Sequence, residues 1–78
     1  MYLFECKNWA EPVGKNEVIV FSEKIAVLGA QRGFLVAPAF TSHARAQAAK
    51  DRRMELVSVE RIDVSVGMIA GFHYLFTN

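Results

Sequence analysis

The sequence contains one cysteine, two prolines and no long uncharged apolar run. The single cysteine, Cys6, excludes an internal disulfide framework and a zinc site built from cysteines. A membrane-spanning helix needs about 18 or more apolar residues, which no uncharged stretch supplies. Glu5 and Lys7 interrupt the apolar start too early for the core of a signal peptide. We therefore expect a cytoplasmic protein with no membrane segment.

Charge of one sign does not dominate either, because nine Lys and Arg residues against eight Asp and Glu residues leave a net charge of +1. Any contact with nucleic acid must therefore come from a local basic patch and not from the overall charge. The composition, 53% hydrophobic and 22% charged, favours a folded chain over a disordered one. A length of 78 residues suits one small domain spanning residues 1–78.

Strand and helix patterns alternate along the first half of the chain. Residues 2–9 form a compact apolar and aromatic run, which predicts a strand. After a break that contains proline and glycine, apolar side chains recur at helical spacing over residues 15–28, at Val18, Phe21, Ile25 and Leu28. Asn16 is the predicted N-cap of this helix, and Gly29 is its predicted C-terminal stop.

The second half continues the alternation. Residues 34–37 are uninterrupted apolar residues and predict a strand buried on both faces. Thr41 or Ser42 is the predicted cap of an alanine-rich helix, and residues 56–59 predict a third strand. In the tail, helical spacing relates Ile62, Val66, Ile69 and Phe76, although glycines and β-branched residues weaken that pattern.

The order strand, helix, strand, helix, strand, tail predicts an α/β fold. Such a chain forms a small, mainly parallel sheet with flanking helices joined by right-handed crossovers. Three strands from one chain leave exposed edges. We therefore expect the tail to supply a further strand, or a partner subunit to cover an edge.

Two charged residues inside the first predicted strand need an explanation. Side chains on a strand alternate between faces, so Glu5 and Lys7 project side by side from an otherwise apolar segment. One interpretation is a salt bridge on a solvent-facing edge strand, which contributes only about 0–1 kcal/mol. The other is a functional site, because charges inside an apolar strand are costly without a role.

An ordered set of motifs favours the functional interpretation. The segment Glu5-Cys6-Lys7 ends an apolar strand and is followed by an aromatic residue. A Val-Gly turn, a helix, a Gly-Phe-Leu-Val strand and a Phe-Thr-Ser-His-Ala helix start come next, in that order. This order resembles the restriction-endonuclease-like, or PD-(D/E)xK, superfamily and most closely its Mrr-type branch. The resemblance covers about residues 2–63.

The resemblance implies hydrolysis of phosphodiester bonds in DNA with a divalent metal, Mg²⁺ or, in its place, Mn²⁺. It makes Glu5 and Lys7 the catalytic pair. Glu5 would hold the metal through a carboxylate oxygen, and the main-chain carbonyl of Cys6 would be a further ligand. Lys7 would position the attacking water and offset charge on the phosphate oxygens.

The sequence departs from the family core at its start. That core places a helix and a hairpin with a metal-binding aspartate before the acid-x-Lys strand, whereas four residues precede Glu5 here. We therefore expect residues 1–78 to form an incomplete domain whose metal site is poor in carboxylates. Glu17, in the first turn of the first helix, is a candidate accessory acid, although an acid there also favours the helix dipole without any catalytic role.

Candidate contacts to DNA phosphates lie on the second predicted helix. Thr41 and Ser42 lie at its N-terminus, and Arg45 and Arg52 are seven residues apart, which would put them on one face. The alternative is a solvated helix face whose cations favour the dipole. The apolar tail, residues 68–76, predicts a homodimer.

Two hypotheses about function follow. The chain is a metal-dependent DNA endonuclease domain, or it is a truncated, inactive relative that acts as a homodimeric structural or weak DNA-binding module.

Overall fold

The computed structural model describes residues 1–59 and the backbone of residues 72–77. Its elements, in chain order, are β1 (Tyr2–Lys7), α1 (Lys15–Leu28), β2 (Arg32–Ala37), α2 (Ser42–Ala48), β3 (Met54–Ser58) and β4 (Phe72–Thr77). This order confirms the predicted alternation and the α/β class. Among the residues that the structure describes, neither helix has the length and apolar character that crossing a membrane requires.

The four strands form one parallel sheet in the order β3-β2-β1-β4. The strand that carries the acid-x-Lys motif is therefore an inner strand, with β2 on one side and β4 on the other. The tail supplies the additional strand, and Phe76, which the helical alternative included, lies in β4 opposite Cys6. The other positions of that alternative, Ile62, Val66 and Ile69, lie outside the described residues.

Helix α1 forms because its apolar residues recur on one side and both of its ends are defined. Val18, Phe21 and Ile25 are buried, as predicted. Its N-cap is Gly14, not Asn16. The predicted stop at Gly29 is confirmed, since Gly29 has φ +66°, a left-handed conformation that glycine adopts without strain. The fourth predicted core position, Leu28, is about half exposed because it lies in the last turn.

Helix α2 is short, and small residues form its buried side. The hydroxyl of Thr41 accepts a hydrogen bond from the backbone N–H of Ala44 at 3.0 Å, which confirms Thr41 as the cap. Ala44 and Ala48 are buried, and their small side chains bring the α2 backbone close to the rest of the hydrophobic core. Because α2 ends at Ala48, Arg52 lies in the following turn, and the prediction that it shares a helix face with Arg45 is wrong.

Both helices cover the same face of the sheet, as right-handed crossovers in one direction require. Helix α1 comes close to β2 at Gly33, where a Cβ atom would meet the side chains of Ile25 and Phe21. On β2 the residues alternate, with Leu35 buried and Phe34 half-buried, so the strand is fully buried on one face and not on both. The buried core consists of Leu3, Val13, Val18, Phe21, Ile25, Ala30, Leu35, Ala37, Phe40, Ala44, Ala48 and Met54.

A polar cluster ties α1 to the turn before β3. The carboxylate of Asp51 accepts hydrogen bonds from the Ser22 hydroxyl at 2.7 Å and from the Arg53 guanidinium at 3.2 Å. The hydrogen bond from Arg53 is the main cause that lowers the pKa of Asp51 to about 2, and the one from Ser22 adds to it. This cluster lies at the amino edge of the sheet, since Arg53 directly precedes β3.

Candidate active site

Glu5 and Lys7 lie side by side at the carboxyl end of β1. Glu5 Oε2 and Lys7 Nζ are 3.5 Å apart, which confirms that the two side chains lie together. Their strand is paired on both sides, so the interpretation as a salt bridge on a solvent-facing edge strand is wrong. Open parallel sheets bind ligands outside the carboxyl ends of their strands, and the pair lies at that edge.

The Glu5 carboxylate is buried between two ammonium groups. Its side chain is 1% exposed, and its Oε1 accepts a hydrogen bond from Lys24 Nζ at 2.6 Å. The Lys24 side chain extends from α1 and is 36% exposed. The two lysines therefore supply the countercharge that a carboxylate in this buried position needs.

Lys7 borders an open cleft of about 260 Å³ at the end of β1. Its side chain is 10% exposed, and its Nζ lies 4.6 Å from the centre of the Trp9 ring, a distance typical of a cation–π contact. The indole Nε1 of Trp9 is buried and has no hydrogen-bond partner in the described part of the chain. The cleft is lined by Lys7, Trp9, Asn16, Glu17 and Val20.

Glu17 reaches this cleft, but its carboxylate has a structural role. Its Oε2 accepts a hydrogen bond from the backbone N–H of Gly14 at 3.2 Å and so caps α1. The structure brings Glu17 near Lys7 as the lining of one cleft. Its role as an accessory acid stays a prediction.

Cys6 lies between Glu5 and Lys7 in the chain, and its neighbours in the sheet are Val36 and Phe76. Its thiol is buried, and burial raises its pKa, with the Glu5 charge as a smaller cause. The proposed metal-ligand role of its main-chain carbonyl stays a prediction.

The described residues do not fit a magnesium ion. Mg²⁺ prefers oxygen ligands in near-octahedral geometry, with one or more carboxylates. Each Glu5 oxygen faces an ammonium group instead. The buried Trp9 Nε1 is a hydrogen-bond donor and cannot be a metal ligand. Residues 1–59 contain no group of three or more His, Cys, Asp or Glu side chains that could hold a metal.

The predicted phosphate contacts divide between the two edges of the sheet. Ser42 and Arg45 are exposed, and Arg45 lies near the carboxyl edge, where its guanidinium is 3.4 Å from Ser58 Oγ at the end of β3. The Thr41 hydroxyl is already engaged as the α2 cap. Arg52 is exposed at the opposite edge, in the turn before β3. The structure therefore brings Arg45 and Ser42 towards the side of Lys7 and separates Arg52 from them.

Sequence reasoning missed Lys24, the nearest charged partner of Glu5. The sequence contained a signal for Lys24. It directly precedes the buried residue Ile25, and it lies seven residues, or two helical turns, after Glu17, which places it on the same side of α1 as Glu17. A lysine beside an apolar helical stripe often extends its apolar stem along the core and keeps its charge at the rim. The sequence did not show that this side chain would end at Glu5, since that depends on how α1 lies on the sheet.

A family model for the catalytic domain of Mrr, described as restriction endonuclease, matches residues 1–65. No curated protein and no solved structure matches the chain. The family model covers well over half of the sequence and spans β1 to β3 with both helices. The motif order, the parallel sheet and this match agree, and the chain belongs to the Mrr-type restriction endonuclease family.

Proposed function

We propose that this chain is a DNA-binding member of the restriction endonuclease family that does not hydrolyse phosphodiester bonds by itself. The observation that carries the proposal is the environment of Glu5, the acid of the acid-x-Lys motif, which is buried and neutralised by Lys7 and Lys24. A divalent ion would have to displace an ammonium group and find its remaining ligands outside the described residues. Membership of a nuclease family supports DNA as the partner.

The surface proposed to meet DNA is the carboxyl edge of the sheet. A bridge between Val13 and Phe40 joins the loops that follow β1 and β2 at this edge. Lys7 lies at the end of β1, and Arg45 lies near the end of β3. Cations spaced along one edge favour contact with successive phosphates, and binding of this kind is weak and salt-sensitive without contacts to bases.

A second function, metal-dependent DNA cleavage, is favoured by the position of Glu5 and Lys7 at the end of an inner strand. This function requires that acids from another segment or another chain join Glu5. Mg²⁺ or Mn²⁺ would then supply Lewis-acid chemistry at the phosphate. In such an assembly the Lys7 ammonium would offset charge on the phosphate oxygens.

Incubation of supercoiled plasmid with the purified chain separates the two functions. In Mg²⁺ or Mn²⁺ we expect no nicking above the level of the Lys7→Ala variant, because Glu5 is occupied. Metal-dependent nicking that disappears in Lys7→Ala would support the endonuclease function and overturn the proposal that the chain does not hydrolyse DNA by itself.

Fluorescence anisotropy with a labelled duplex tests the DNA-facing edge. Arg45→Ala should weaken binding and lower the slope of log K against log salt by about 1, the loss of one phosphate contact. Arg52→Ala is the matched control, since it removes an exposed arginine at the opposite edge. Equal effects of the two substitutions would refute the assignment of the carboxyl edge.

We also propose that the chain forms a homodimer. The apolar sequence of the tail supports this, and β4 is an edge strand of the described sheet, whose free side is able to pair with a second chain. Light scattering after size exclusion should give twice the monomer mass. A monomer mass at concentrations of about 100 μM would exclude a dimer of useful affinity.

A further inference from the structure

The charges around Glu5 are opposite in sign to those of a metal site, which gathers negative groups around the ion. Two ammonium groups and one carboxylate leave a local excess of positive charge. A divalent cation approaching Glu5 would therefore meet repulsion from both lysines before it reached an oxygen atom. Lys24 makes the shorter of the two contacts, 2.6 Å against 3.5 Å for Lys7.

We propose that Lys24 is an internal counter-ion that competes with divalent cations for the Glu5 carboxylate and keeps that carboxylate out of metal coordination. This inference deepens the proposed function by naming the residue that keeps the acid-x-Lys motif silent. It concerns metal binding and not DNA cleavage, so it can fail while the proposal on DNA stands.

The positions of the two lysines distinguish their roles. Lys7 belongs to the same strand as Glu5, contacts the Trp9 ring and is 10% exposed, so its ammonium group has little room to withdraw. Lys24 comes from α1 and is 36% exposed. A rotation about its side-chain bonds would move its charge into solvent without any change of the backbone. Lys24 is therefore the group that a cation has to replace.

The length of the side chain suits this role. Lys24 is next to the buried residue Ile25 in α1, and its long side chain delivers a compact, strongly hydrated cation to one carboxylate oxygen. A charge-assisted hydrogen bond of this length is roughly twice as strong as a neutral one. Lys24 thus contacts Glu5 as a metal ion would, through a single positive centre on one oxygen.

The test measures Mn²⁺ binding by the electron paramagnetic resonance signal of the free ion. Lys24→Met removes the charge and keeps a long apolar stem and a good helix former. We expect Lys24→Met to bind Mn²⁺ at least tenfold more tightly than the native chain. The gain should disappear in the double variant with Glu5→Gln. Lys50→Met, which removes an exposed lysine from the turn after α2, should bind Mn²⁺ as the native chain does.

Two results would overturn the proposal. One is a native chain that binds Mn²⁺ as tightly as Lys24→Met, and the other is a gain that persists when Glu5 is replaced by glutamine. If Lys24→Met does not fold when a chelator removes all metal ions, thermal unfolding with added Mn²⁺ takes the place of the binding measurement. Mn²⁺ should then restore its folding, because the ion supplies the missing charge, and failure of millimolar Mn²⁺ to restore it would also overturn the proposal.

Discussion

Replacement of Glu5 by glutamine tests whether the acid of the motif stabilises the fold or is held ready for a metal. Glutamine keeps the shape of the side chain and removes its charge. Lys7 and Lys24 would then lose their common countercharge. If Glu5 is a structural ion-pair partner, as the structure indicates, Glu5→Gln destabilises the protein.

The two lysines contribute unequally to the expected loss. Removing one member of a buried ion pair costs about 3–5 kcal/mol. Because Lys7 keeps its contact with the Trp9 ring, we expect the loss of its pairing with Glu5 to cost less, about 2 kcal/mol. Lys24 is partly solvated and loses only about 0–1 kcal/mol, the usual value of an exposed pair. The sum is about 2–3 kcal/mol. For a domain of this size such a loss lowers Tm by about 10–20 °C.

Urea unfolding followed by circular dichroism measures this loss directly. Glu23→Gln is the control, since Glu23 is an exposed glutamate on the same helix as Lys24 and its replacement should change stability by less than about 0.5 kcal/mol. A gain in stability on Glu5→Gln would have a different meaning. A carboxylate held in place for catalysis commonly costs stability, and its neutralisation raises Tm. A Glu5→Gln protein that is as stable as the native one, or more stable, would refute the structural role.

Three further outcomes follow from the packing and the charges. Gly33→Ala should destabilise by about 1–3 kcal/mol in urea unfolding, because the new methyl group meets Ile25, and an unchanged midpoint would contradict this close approach. The Arg53 hydrogen bond holds the pKa of Asp51 at about 2, below its ordinary 3.8. Asp51→Asn should therefore cost about 1 kcal/mol at neutral pH, after allowance for solvent around Arg53, and this difference should shrink as the pH falls from about 4 to about 2. Burial raises the pKa of the Cys6 thiol, so a thiol reagent at about pH 8 should label it only as the chain unfolds.

The apolar pattern of the sequence was sufficient to predict most of the fold. Residues such as Val18, Phe21 and Ile25 recur at helical spacing, and the alternation of strands with helices implies a parallel sheet. The tail was harder to assign. Its apolar residues fit a strand or a helix equally well, and pairing with β1 decides between them, which is a long-range contact that no local pattern contains.

The sequence was sufficient to predict where the candidate site lies on β1, but not which residues of other elements surround it. Strand alternation was sufficient to place Glu5 beside Lys7. The contact of Lys24 with Glu5 depends on the angle and height at which α1 lies on the sheet, and the close approach of α1 to β2 at Gly33 helps to set both. The expectation that Arg45 and Arg52 share a helix face was wrong because α2 ends at Ala48. In the turn after α2, Asp51 accepts a tertiary hydrogen bond from Ser22 of α1 and a local one from Arg53, and Arg52 lies in this turn and not on the helix face of Arg45.

The same carboxylate cannot serve stability and metal binding at once in this fold. A domain of about 80 residues has only about 4–12 kcal/mol of stability, so an ion pair worth about 2–3 kcal/mol is a substantial part of it. A metal ion that took Glu5 from Lys24 would have to replace the share of that stabilisation that Lys24 contributes and also offset the repulsion from Lys7. Additional carboxylates would change this balance, because they would attract the ion and give the displaced ammonium group a new partner. The motif alone is therefore consistent with a stable and silent domain, whereas the motif joined by further acids is consistent with an endonuclease.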